Sequence, residues 1–85
     1  MISPIIMPSD EWLAENTQYA IGDILYHSQG RLSAGHVLIT DIVPKWSMNE
    51  QGIIPFYVGY IFKTGKQMDF AYQSIDLNSD WQKVA

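Results

Sequence analysis

The chain has no cysteine among its 85 residues. Disulfides and thiolate zinc sites are therefore excluded as supports for the fold. The absence is compatible with a cytoplasmic location, which is the expectation adopted. Basic residues are scarce: Arg31, Lys45, Lys63, Lys66 and Lys83 stand against nine acids, for a formal net charge of −4. Phosphate binding is driven largely by Lys and Arg, so this balance opposes non-specific attraction to nucleic acid or anionic membrane and leaves only local basic patches. Long apolar runs are also missing. The opening Met1-Ile2-Ser3-Pro4-Ile5-Ile6-Met7 is apolar but short, lacks a basic leader and is broken by Pro4. It reads as a strand or extended arm rather than a targeting or membrane-spanning segment. No internal repeat, low-complexity run or linker interrupts the chain.

What is present is apolar and aromatic. Hydrophobic residues make up 47% and charged residues 16%, a balance that favours one folded domain over residues 1–85 with an adequate core. The densest signal is Ile54-Pro55-Phe56-Tyr57-Val58-Gly59-Tyr60-Ile61-Phe62, followed by Lys63-Thr64-Gly65 and then Lys66-Gln67-Met68-Asp69-Phe70-Ala71-Tyr72. This reads as a β-hairpin. Thr64 is poorly suited to a two-residue primed turn, so a three-residue loop with Gly65 in the left-handed position is expected. That loop pairs Phe62 with Lys66, Tyr60 with Met68, Val58 with Phe70 and Phe56 with Tyr72. It assigns Phe56, Tyr60, Phe62, Phe70 and Tyr72 to the core. Tyr57, Gly59, Ile61, Gln67, Asp69 and Ala71 fall on the outer face.

Elsewhere, Ser9 or Asp10 is placed to cap a short helix through Glu11-Trp12-Leu13-Ala14-Glu15. Residues 1–18 thus form an N-terminal arm and short helix, with Trp12 docking the helix onto the rest. Residues 19–27 read as a first strand, residues 28–35 as a loop, and residues 36–43 as a β-branched strand stopped by Pro44. Residues 45–52 read as a polar loop holding Trp46 and Met48. Ser74-Ile75-Asp76-Leu77 reads as a single tight 3-10 turn, and residues 81–84 as a last short strand whose Trp81 plugs one end. The fold class expected from this order is all-β: a small SH3-like five-stranded barrel with a short N-terminal helix and a 3-10 turn near the C-terminus.

Several of these segments carry a family resemblance. Ile21-Gly22-Asp23-Ile24-Leu25-Tyr26-His27 is similar to an Ile-Gly-Gln-x-Val-x-His opening. Val37-Leu38-Ile39 and Asp41-Ile42-Val43-Pro44 are similar to a strand ending Asp-x-Asp-Pro. Trp46-Ser47-Met48-Asn49-Glu50 matches an aromatic-Ser-x-x-Glu segment, Pro55-Phe56-Tyr57-Val58 a Pro-aromatic-Tyr-His, and Tyr72-Gln73-Ser74-Ile75-Asp76-Leu77 a closing Tyr-x-Ser/Ala-Glu-x-x-Leu. Across residues 19–80 the chain resembles the YccV-like, or heat-shock protein Q, family of hemimethylated-DNA-binding proteins. It departs from that pattern at Val58, where the family has His, and at Val43, where it has Asp. The resemblance implies an SH3-like barrel and a role in DNA binding or in delivering proteins to a protease.

The chemistry-bearing residues form no catalytic or metal motif. His27 and His36 with Asp23 and Asp41 have no recognised ligand spacing and read as polar strand-end residues. Ser28, Ser33 and Ser74 with either histidine make no nucleophile set. Asp23 after Gly22 reads as a turn-closing acceptor. No catalytic residue, metal or cofactor is expected. Trp46 has two open readings, folding over one barrel end or serving as an exposed binding anchor. The second strand is apolar on both sides, with Val37, Ile39 and Val43 on one and Leu38, Ile42 and Pro44 on the other. A small barrel has one inside, so the second side requires the N-terminal arm or another subunit, which makes a homo-oligomer a natural outcome.

Three function classes follow. The preferred expectation is a non-catalytic protein-binding adaptor or regulatory module, capturing a protein segment around Trp46, Tyr57 and Ile61, with no membrane partner. One alternative is the DNA binding that the resemblance implies, which requires Arg31, Lys45, Lys63 and Lys66 to converge. The other is a small oligomeric enzyme with an interface active site.

Overall fold

The computed structural model describes residues 9–28 and 35–85. The expected N-terminal strand or arm over residues 1–8 and the loop interior carrying Arg31 and Ser33 lie outside the described residues. Helix α1 (Asp10–Glu15) opens the described chain. Five strands follow: β1 (Ile24–His27), β2 (His36–Ser47), β3 (Gly52–Ile61), β4 (Lys66–Ala71) and β5 (Trp81–Lys83), with helix α2 (Tyr72–Asp76) between β4 and β5. All pairings are antiparallel, in one sheet ordered β4-β3-β2-β1-β5. The end strands β4 and β5 are not paired to each other, so the sheet is open where a closed barrel was expected.

Local chemistry accounts for the elements. Ser9 accepts a 3.2 Å hydrogen bond from the Trp12 amide, satisfying one of the orphan donors at the start of α1. Asp10 and Glu11 suit the dipole there. The segment before β1 forms a turn in place of the first half of the expected strand. Asp23 Oδ2 accepts from the Ala20 amide at 3.0 Å, and Gly22 adopts φ +97°, a conformation that favours glycine. The turn-closing reading of Asp23 agrees with this geometry.

Strand β2 runs through Pro44 instead of ending at it. Pro44 lies opposite Pro55. Neither residue has an N–H, so they can face each other where the ladder makes no hydrogen bond. Strand β1 pairs only as far as Leu38, and β4 only as far as Phe56, so no neighbour is denied a donor on the outer sides. The pairing also shifts between Ile39 and Asp41, leaving Thr40 as a bulge whose hydroxyl donates to the Val58 carbonyl at 3.1 Å. One extra residue inverts the alternation. Ile42 therefore joins Ile39 against the core, and Val43 takes the opposite face, contrary to strict period two.

The β3–β4 hairpin differs from the expected register by one residue. Phe56 pairs with Ala71, Tyr57 with Phe70, Gly59 with Met68 and Ile61 with Lys66. The loop is Phe62-Lys63-Thr64-Gly65, four residues, closed by a 2.8 Å bond from the Gly65 amide to the Ile61 carbonyl, with Gly65 at φ +69°. The left-handed glycine is as expected, but the extra loop residue shifts the pairing by one and turns the β3 side chains over, while Phe70 and Tyr72 stay against the core as expected. Pro55, Tyr57, Gly59 and Ile61 are buried, whereas Phe56, Val58 and Tyr60 are only half-buried and Phe62 is exposed. The core comprises Leu25, Val37, Ile39, Tyr57, Ile61, Ile75 and Trp81, with Tyr19, Ile42, Phe70 and Tyr72 packed against it. Gly59 makes this arrangement possible. A Cβ there would lie 2.5 Å from Val37 Cγ1 and 3.1 Å from Phe70 Cε2.

Candidate functional site: the hairpin arm and its neighbouring groove

Beyond the core, β2 and β3 continue as a two-stranded arm. Residues 43–47 pair with residues 52–56, past the last β1 partner of β2, while β4 reaches only Phe56. Twelve residues of β2 span about 40 Å at ~3.3 Å per residue. The molecule correspondingly measures 50 × 24 × 23 Å. The turn at the tip, Met48-Asn49-Glu50-Gln51, carries Gln51 at φ +52°. The Ser47 hydroxyl accepts from the Glu50 amide at 3.3 Å.

The arm explains the environment of Trp46. It pairs with Ile53 where no further layer covers it, and it is 61% exposed, with Met48 at 83%. The folded-down alternative for Trp46 does not occur. Tyr57 and Ile61, expected on the outer face, are 0% and 5% exposed. Their assignment to a contact surface with Trp46 is corrected by the one-residue register change, which turns both into the core.

Tyr57 organises a polar network between β3, α2 and residues 18–19. Its hydroxyl donates to Asp76 Oδ1 at 2.6 Å and accepts from the Tyr19 amide at 3.1 Å, while the Gln18 amide donates to Asp76 Oδ2 at 3.0 Å. Burial, reinforced by the hydrogen bond to Asp76, holds the Tyr57 phenol well above its ordinary value. The arrangement ties residues 18 and 19 to α2 through a core side chain. It holds the chain between α1 and β1 in place.

A groove of about 510 Å³ opens beside it, lined by residues of α1, of residues 17–21, and by Asp41 and Ile42 of β2. It exists because β1 leaves β2 after Leu38 and α1 packs along the edge that is freed. Sequence reasoning missed this groove. Asp10 and Asp41 are 31 positions apart in the chain and no spacing links them.

The described lysines do not gather. Lys45 faces Ile54 and Lys66 faces Ile61, seven residues along β3, or about 23 Å. Lys63 lies in the turn beside Lys66. Lys45 is paired with Asp69 and lies 5.5 Å from the Phe56 ring centroid. Arg31 lies outside the described residues. The histidines are separate in environment: His36 is exposed, its ring tilted 49° against Tyr26 at 4.9 Å, and His27 is buried, 4.8 Å from the Trp81 ring, with Nδ1 unpartnered among the described residues. Among the described residues no three of His, Asp and Glu converge as metal ligands, and no helix is long and apolar enough to cross a membrane.

Comparison with protein-family models, with curated proteins and with solved structures finds no match to this chain. The site is therefore read from its own geometry, and the resemblance to YccV-like proteins rests on the sequence segments alone.

Proposed function

We propose that this chain is a non-catalytic protein-binding module and that its contact surface is the tip of the β2–β3 arm. The observation that carries the reading is the exposure of Trp46 and Met48 at the end of that arm. Tryptophan is enriched among the residues that dominate binding energy, and methionine adapts to irregular apolar partners. A two-stranded arm without a covering layer is marginal in water, and a partner protein would supply the missing layer. The order of five antiparallel strands with a helical turn before the last supports treating the fold as an opened relative of the SH3-like barrel. A regulatory or adaptor role of the kind the YccV-like resemblance implies, in the cytoplasm, belongs to the same proposal.

The test is affinity capture with the 85-residue chain and its Trp46→Ala variant from native lysate, at low and high salt. The expected result is a discrete protein that survives high salt and is lost with Trp46→Ala. Equal capture by both forms excludes the arm tip. Recovery of nucleic acid alone, lost at high salt, favours the DNA-binding alternative.

A further inference from the structure

We infer that the groove between α1 and the bulged edge of β2 receives a protein segment in which a basic side chain stands beside an apolar one. This is a second site, independent of the arm tip. Its volume of about 510 Å³ falls within the ~300–1,000 Å³ typical of ligand pockets. Ala14, Ile21 and Ile42 contribute apolar surface, Ile21 being 59% exposed, and Asp10 and Asp41, both exposed, contribute carboxylates from α1 and from β2.

Each acid has a local role that leaves capacity to spare. Asp41 Oδ1 accepts from the Ile42 amide at 2.9 Å and fixes the bulge, which leaves Oδ2 for another donor. Asp10 complements the first turn of α1. Among the described residues the ion pairs are Lys45 with Asp69 and Lys83 with Asp23. No described cation answers either carboxylate in the groove. Acids over an apolar lining complement a lysine or arginine, whose aliphatic stem lies along apolar surface while its charged head meets the carboxylates. An acidic or purely apolar segment would leave the two like charges uncompensated.

The test is a titration of the ¹⁵N-labelled 85-residue chain with acetyl-Leu-Lys-Leu-amide and, separately, acetyl-Leu-Glu-Leu-amide, followed by amide chemical shifts. The lysine peptide is expected to move the Leu13, Thr17 and Ile42 resonances saturably, and the glutamate peptide to leave them unmoved. Asp10→Asn and Asp41→Asn are each expected to weaken binding by about two- to fivefold, the scale of an exposed ion pair. Asparagine keeps the side-chain oxygen that accepts from Ile42, so the bulge survives the substitution. Trp46→Ala is expected to leave the affinity unchanged, which separates failure at the arm tip from failure here. No saturable shift, an equal response to both peptides, shifts confined to the arm tip, or full affinity in the Asp10→Asn/Asp41→Asn double variant would each overturn the assignment.

Discussion

The Tyr57 hydroxyl donates a 2.6 Å hydrogen bond to Asp76 Oδ1, joining the middle of β3 to the last residue of α2. The bond needs the phenol in its protonated form, and burial favours that form too. Tyr57→Phe keeps the ring in the core and removes the donor, so a loss of about 1–2 kcal/mol in unfolding free energy is expected by urea denaturation. The phenol is raised in the folded state above its ordinary value of 10.0. The native state thus holds its proton where the unfolded state releases it. The stabilisation is complete below about pH 10 and declines as pH rises beyond that. Denaturation between pH 9 and 12 should show this decline in the parent protein, and a shallower one in Tyr57→Phe.

Gly59 marks the closest approach in the core. A Cβ would fall 2.5 Å from Val37 Cγ1, and a β-branched side chain in a strand has few rotamers to yield. Gly59→Ala is expected to lower stability by about 1–3 kcal/mol through overpacking, measured by thermal or urea unfolding. Restoration of stability in a Gly59→Ala/Val37→Ala double variant would identify the contact as the cause; simple additivity of the two losses would refute it.

Gln51 occupies the left-handed region at φ +52° in the tip turn. An L side chain pays about 1–2 kcal/mol there, and glycine recovers most of that while losing some through the unfolded chain. Gln51→Gly is expected to stabilise by up to about 1 kcal/mol, with no change in the Trp46 emission maximum. A loss of stability would place the tip turn in another conformation.

Helix α1 has six residues, too few to persist without its cap and its packing. Ser9→Ala removes the acceptor of the Trp12 amide and is expected to cost about 1 kcal/mol. Hydrogen exchange should show faster exchange confined to residues 11–14, because α1 packs on an edge of the sheet and the main core lies elsewhere.

The chain by itself determined most of the element types and their order, although the 3-10 turn expected over residues 74–77 is instead the α-helix Tyr72–Asp76 and the first half of the expected first strand is a turn. β-Branching marked β2, the aromatic hairpin pattern marked β3, Ser9 marked the start of α1, and Gly65 marked the left-handed turn residue, all because these are local consequences of side-chain sterics and capping. Sequence patterning failed where both alternatives were apolar. Along β3 the even residues Phe56, Val58, Tyr60 and Phe62 form a more hydrophobic set than Pro55, Tyr57, Gly59 and Ile61, and hydrophobicity alone therefore pointed the wrong set inward. Tertiary structure decided otherwise, because Gly59 admits Val37 and Phe70 and Tyr57 finds Asp76. Neither fact is local. The same holds for Pro44, whose missing N–H is harmless only opposite Pro55 at a strand edge, and for the Thr40 bulge that moves Ile42 inward. The exposure of Trp46 was open in the sequence. It was settled by where β1 and β4 stop, since a strand's side chains are covered only as far as its neighbours and the layer above them extend.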